Sequence, residues 1–139
     1  MSAARIDAHT GLEILDRHEC YDRLAHEHLG RLAVCVGGQP IVLPVNYALD
    51  DGDIVFRSAS GTKVAAAAGR DVAFEIDGHD ALRHGGWSVL VVGTAERVAD
   101  AAQSARLEHL PVTPYGPGDK PIWIRIHPSA VTGRRIPTP

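Results

Sequence analysis

The chain has no run of about 20 consecutive apolar residues, the length a bilayer-spanning helix requires. Its most apolar short run is Val89-Leu90-Val91-Val92. Met1-Ser2-Ala3-Ala4-Arg5-Ile6-Asp7 lacks the apolar core of a secretory signal. Basic excess is missing too. Fourteen Lys and Arg face 17 Asp and Glu, for a formal charge of −3, and a nucleic-acid partner would normally need a basic face. Only two cysteines occur, Cys20 and Cys35, without metal-ligand spacing. They read as reduced, buried thiols of a cytoplasmic protein. The eight histidines supply no ligand set. His26 and His28 lie two apart on an expected helix and so face different directions, and His79 and His84 have no Cys or carboxylate at ligand spacing. No metal is expected. No Gly-x-Ser-x-Gly elbow is present to present a serine nucleophile, and there is no internal repeat.

Apolar residues make up 45% and charged residues 22% of 139, which predicts one folded domain over residues 1–139 with flexible ends at 1–11 and 137–139. Asp16-Arg17-His18-Glu19 forms a capping box, with Leu15 and Cys20 placed as its hydrophobic staple. Cys20, Leu24 and His28 recur one turn apart, and Gly30 supplies a stop. Strands follow: Leu32-Ala33-Val34-Cys35-Val36, a Gly37-Gly38-Gln39 turn, then Ile41 to Leu49 with Pro44 marking an edge or bulge. Asp50-Asp51-Gly52-Asp53 turns the chain into Ile54-Val55-Phe56, and tight loops of this kind predict an antiparallel meander. Val72 to Asp77 and Trp87 to Val98 are two more strands, the latter with a bend or bulge at Gly93. Asp100 to about His109 is helical, Pro111 to Pro121 is a loop, Ile122 to Ile126 is the last strand, and the tail after Pro128 is irregular. Six strands with two or three accessory helices make a mainly β fold, a closed or partly closed antiparallel barrel.

One stretch carries chemistry. Phe56-Arg57-Ser58-Ala59-Ser60-Gly61-Thr62-Lys63 runs from a strand end through a tight turn into an alanine-rich helical segment closed by Gly69. A helix start has unpaired N–H groups, Ser and Thr add donors, and Arg57 and Lys63 add cations, a combination suited to phosphate. The same residues also describe an ordinary helix cap with two solvated charges. Both readings stand on this segment alone.

Taken together, four motifs in order resemble the FMN-binding split-barrel proteins of the pyridoxamine 5′-phosphate oxidase-like superfamily. More narrowly, they resemble the small bacterial branch that includes nitroimidazole-resistance proteins. The motifs are Leu29-Gly30-Arg31-Leu32-Ala33, Pro44-Val45-Asn46-Tyr47-Ala48, Asp53 to Ser58 with Gly61-Thr62-Lys63, and Trp87-Ser88-Val89 leading to Gly93-Thr94-Ala95-Glu96-Arg97. The resemblance implies a six-stranded antiparallel split β-barrel that pairs as a homodimer with FMN between the chains. It implies that Arg57, Ser58, Thr62 and Lys63 hold the phosphate, that Ser88 reaches the phosphate or ribityl chain, and that Val45 and Asn46 lie along the flavin ring. Asn46 reads equally as a strand-edge side chain bonded locally. Arg134 reads either as a flavin or interface contact or as a solvated arginine. The oxidase proper carries an Arg-x-His element near its C-terminus, and Gly133 to Pro139 holds no histidine, which speaks against pyridoxamine phosphate as substrate. The implied activity is flavin-mediated oxidation or reduction of a small molecule, with no side chain assigned as acid or base. Deazaflavin in place of FMN, and flavin or haem bound without turnover, are the alternatives.

Overall fold

The computed structural model describes residues 5–113 and 120–137. Local chemistry sets the first elements. Asp16 caps α1 (Arg17–His26) by accepting the Glu19 N–H at 2.8 Å, and both staple residues, Leu15 and Cys20, are buried. The helix ends at His26 on an extended Glu27, so Gly30 is not its stop. Gly30 belongs instead to β3 (Leu29–Val36), where a Cβ would overlap the Phe74 ring. The aromatic side chain demands glycine at that position. Residues 5–11, expected within a flexible end, contain β1 (Arg5–Ile6), which pairs with β2 (Glu13–Leu15).

The Gly37-Gly38 turn joins β3 to β4 (Gln39–Asn46), with both glycines at positive φ. The long second strand then breaks at Tyr47. That side chain is buried and its hydroxyl donates to the Leu24 carbonyl of α1 at 2.6 Å, while its N–H donates to the His28 carbonyl at 3.0 Å. Beyond the break, β5 (Ala48–Asp50) and β6 (Asp53–Ser58) form a short hairpin. The expected meander is therefore interrupted. Among the described residues β6 pairs with β5 and β9 (Ile122–Ile136), and β4 pairs with β3 alone.

A hairpin of β7 (Asp71–Asp80) and β8 (Gly85–Arg97) extends well into the polar stretch 78–86 that reads as a loop. The strand order is β1-β2-β9-β8-β7-β3-β4, with β6 joined to the first half of β9, and every pairing is antiparallel. β9 corrects the expected irregular tail: it runs through Pro128 to Ile136. The register shift between Val92 and Gly93 sets Gly93 opposite Pro128 and resumes at Val92 and Ala130. A bulge of this kind accommodates a residue that has no N–H to donate. Gly93 is required there, because a Cβ would overlap the His127 carbonyl.

Leu32, Val45, Phe56, Phe74, Ile76, Val91, Ile124 and Ile126 fill the barrel, and Cys20 and Leu24 of α1 seal one end. Tyr47 meets Phe74 edge-on, with ring centroids 4.8 Å apart. A smaller cluster, Val55, Val98, Leu107 and Trp123, lies under α2 (Ala101–Leu107), whose N-cap is Asp100 as expected. Cys35 is exposed, contrary to expectation, because its position on β3 alternates with the core-facing Val34. Among the described residues no helix is long and apolar enough to cross a membrane.

Candidate functional site

The barrel is split where β4 and β6 face each other without a ladder, and a cavity of about 150 Å³ opens there. Pro44, Val45 and Asn46 form one wall, and Arg57, Ser58 and Thr62 form the other. Five of the eight residues expected to hold a cofactor therefore converge, from segments far apart in sequence. The other three do not. Lys63 is exposed beside the cavity. Ser88 and Arg134 lie together at a second cavity of about 490 Å³ beside the β7–β8 hairpin.

Alternation along β6 explains the second wall. Phe56 and Ser58 point toward the core, and Arg57 points to the opposite side, where it lies 5.2 Å from the centre of the Trp123 ring. Arg57 Nε donates to the Lys120 carbonyl at 2.9 Å, and Nη1 lies 3.4 Å from a carboxylate oxygen of Glu108. The hydroxyls of Ser58 and Thr62 are 2.8 Å apart. Thr62 donates to the Ala59 carbonyl at 2.9 Å and accepts the Ala65 N–H at 3.1 Å, which folds the turn onto itself. On the first wall, Asn46 Nδ2 donates to the Thr113 carbonyl at 2.7 Å, the local use of that side chain.

The expected helix after Thr62 is a single 3₁₀ turn, Ala65–Ala67. Gly69 and Arg70 are captured by the strand edge at once: Gly69 N–H donates to the Ala95 carbonyl at 2.8 Å and Ala95 N–H donates to the Arg70 carbonyl at 3.0 Å. Three residues cannot sustain a helix macrodipole. Anion attraction at this corner rests on side chains alone.

At the second cavity Ser88 on β8 pairs with Arg134 on β9. Arg134 Nε lies 3.4 Å from Asp7, which precedes β2. Trp87, next along β8, is stacked beneath Arg23 of α1 at 4.4 Å. A neighbouring cavity of about 610 Å³ shares the hairpin glycines Gly78, Gly85 and Gly86.

Sequence reasoning missed Val112, Thr113 and Lys120 at the first cavity, and Glu108 against Arg57 beside it. No local signal marks them, because α2 and the segment after it reach Arg57 only through the pairing of β6 with β9. It also missed a charge cluster in which the carboxylate of Asp50 accepts from Arg106 at 2.7 and 2.8 Å and from the buried Arg125 at 2.6 Å. Arg125 also donates to Asp53 at 3.0 Å.

The Thr62 hydroxyl proton is directed at the Ala59 carbonyl and that of Ser58 at Thr62 or Ala59, so a phosphate at this cavity would have to replace these bonds. Two hydroxyls, one half-buried guanidinium and an adjacent lysine suit that group, while the volume is below the roughly 300–1,000 Å³ of a site that encloses a small organic ligand. Any larger ligand anchored there must extend out of the gap.

A split antiparallel barrel with a polar, cationic seam defines the class. Residues 16–135 match the family model described as pyridoxamine 5′-phosphate oxidase, and the chain belongs to that family. It is 37% identical over 128 residues to an uncharacterized protein of Mycobacterium tuberculosis, covering 88% of this chain and 84% of that one. Among solved structures, the FAD binding protein from Mycobacterium smegmatis superposes with a TM-score of 0.74 at 37% identity, covering 88% of this chain and 96% of that chain. A FAD-binding protein from Mesorhizobium loti superposes with a TM-score of 0.69 at 27% identity, covering 91% and 99%.

Proposed function

We propose that the chain binds a flavin nucleotide at the gap between β4 and β6 and acts as a flavin-dependent oxidoreductase on a small molecule. The observation that carries this reading is the convergence of Arg57, Ser58 and Thr62 with Val45 and Asn46 on one cavity at the unpaired seam. The half of the ligand common to FMN and FAD, ring, ribityl chain and first phosphate, is the part this seam suits. FMN follows from the sequence resemblance. The Mycobacterium smegmatis and Mesorhizobium loti relatives, both named as FAD-binding, favour FAD as the complete ligand. When bound, a flavin supplies hydride or single-electron transfer. The residues of this chain bind and orient. Arg57 and Lys63 offset the phosphate charge, and the edge of β4 that pairs with no strand among the described residues offers backbone groups to the ring.

A second copy of the chain completes the site. The outer sheet face carries the cross-strand row Ala130, Val92, Ala73, Ala33 and Val42, in which Val92 is 40% and Val42 is 64% exposed. An apolar face of this kind supports pairing, and pairing would bring Ser88 and Arg134 of one copy toward the gap of the other.

The mass of the small molecule released on denaturation tests the reading first. FMN or FAD supports it, and a deazaflavin or haem overturns it. With the stripped protein, Arg57→Ala is expected to weaken flavin nucleotide binding by about 1.5–3 kcal/mol for a lost charge-assisted contact. Lys63→Ala, at an exposed position, costs up to about 1 kcal/mol. Unchanged affinity in both variants removes the phosphate assignment.

A further inference from the structure

Asn46 ends β4 at the seam, and its amide reaches a segment 67 residues away in sequence, donating to the Thr113 carbonyl at 2.7 Å. Thr113 is the tip of a short strap that follows α2. The Leu110 N–H donates to the Leu107 carbonyl at 2.9 Å, and the Val112 N–H donates to the Leu110 carbonyl at 2.8 Å. The second bond closes a three-residue turn about Pro111, whose ring fixes φ. Leu110 and Val112 pack on the cluster beneath α2. The base of the strap is therefore anchored by apolar contact, while its exposed tip is tied to β4 by the Asn46 bond. Space lies on both sides of it. Val112 and Thr113 line the phosphate cavity of about 150 Å³, opposite Val45 and Asn46. Leu110 and Pro111 line a separate cavity of about 250 Å³, opposite Leu24 and Tyr47.

We infer that Leu110–Thr113 is a strap latched across the seam by Asn46, and that a flavin ring seats along β4 only after this latch opens. The inference rests on the flavin reading above. In that reading the phosphate sits at the Ser58–Thr62 corner and the ring follows Val45 and Asn46. A ring on that path meets the strap, because Val112 and Thr113 stand against the same two residues and the space between is below the roughly 300 Å³ that encloses a small organic ligand. The same Asn46 amide is wanted twice, once by the Thr113 carbonyl and once by the ring, whose edge carries carbonyl oxygens. Opening exchanges one acceptor for the other, so the latch costs a single exposed hydrogen bond. The cavity behind Leu110 and Pro111 gives the strap room to retreat as the phosphate cavity widens.

Binding kinetics test the latch. The full-length protein, stripped of flavin, is mixed rapidly with rising concentrations of FMN while flavin fluorescence is followed. Because opening precedes contact, the observed rate constant of the wild type is expected to level off at a ceiling set by the latch. Asn46→Ala and Asn46→Asp both lack the donor, and each should raise that ceiling about two- to tenfold, the range of one hydrogen bond. Loss of an Asn46 contact to the ring speeds dissociation and leaves the ceiling alone, so the two roles of the side chain separate. Pro111→Gly loosens the strap at a position that does not line the phosphate cavity, and should also raise the ceiling, with dissociation unchanged. A wild-type rate that climbs in proportion to FMN throughout, or a ceiling that stays put in the Asn46 variants, overturns the latch and leaves the flavin reading standing. Wild-type protein that binds no FMN and no FAD removes the flavin reading and this inference with it.

Discussion

Ser88 and Arg134 stand opposite each other across the β8–β9 pairing, and neither lines the cavity that holds Arg57 and Thr62. From β4, the wall of the gap, the sheet crosses β3 and β7 before reaching β8. At roughly 4.8 Å per strand that is about 14 Å. Within one chain the Ser88–Arg134 pair and the gap are separate. Under the proposed pairing of two chains through their outer sheet faces, each pair would serve the other chain's gap.

Replacement of Val92, 40% exposed on the apolar row, by lysine is expected to convert a dimer into a monomer by sedimentation, with the melting temperature little changed. Flavin affinity should fall in the same protein, and Arg134→Ala should weaken binding while leaving the dimer intact. A wild-type monomer that binds flavin as tightly as the dimer would show that one chain suffices.

Gly30 and Phe74 share a tight contact in which a Cβ on the glycine overlaps the ring. Gly30→Ala is expected to destabilise the fold by about 1–3 kcal/mol through overpacking, measured by urea denaturation. Phe74→Leu in the same chain should recover part of the loss, since the two residues are in direct contact. Additive losses in the double variant would place the effect elsewhere.

Asp50 connects stability to acid. Hydrogen bonds from Arg106, followed by those from Arg125, hold its carboxyl well below the usual carboxylate range despite partial burial. A carboxyl lowered in the folded state contributes stability that is fully present above the ordinary aspartate value, about 3.9. That contribution is lost as the pH falls toward the folded-state value. The urea midpoint is therefore expected to stay level from neutral pH to about pH 5 and to drop below about pH 4. Burial pushes the Glu75 carboxyl upward, the opposite direction, and partly offsets the loss. Asp50→Asn should cost about 3 kcal/mol at pH 7, because it removes a partner of the buried Arg125, and should flatten the acid limb. An unchanged acid limb would assign it to other carboxylates.

The amino-acid sequence alone determined whatever depends on neighbours along the chain. Asp16 and Asp100 cap their helices because a carboxylate needs only the amides two or three residues ahead. Gly37-Gly38 turns the β3–β4 hairpin, and apolar runs between turn residues mark at least part of each of the six long strands. The grouping of Arg57, Ser58 and Thr62 at one corner was legible from their places on a strand end and the turn after it, and the four ordered motifs pointed to the family. Tertiary structure decided the rest. β6 leaves β4 and pairs with β9, which opens the seam where the site lies, and Glu108 reaches Arg57 only by that route. It also decided that Ala65–Ala67 stays a 3₁₀ turn, that β9 continues through Pro128, and that Ser88 and Arg134 stand apart from the gap. Each of these outcomes depends on which distant strand satisfies a backbone edge. Closure of the whole sheet settles that choice, because a local segment contains neither the donors nor the acceptors that compete for the edge.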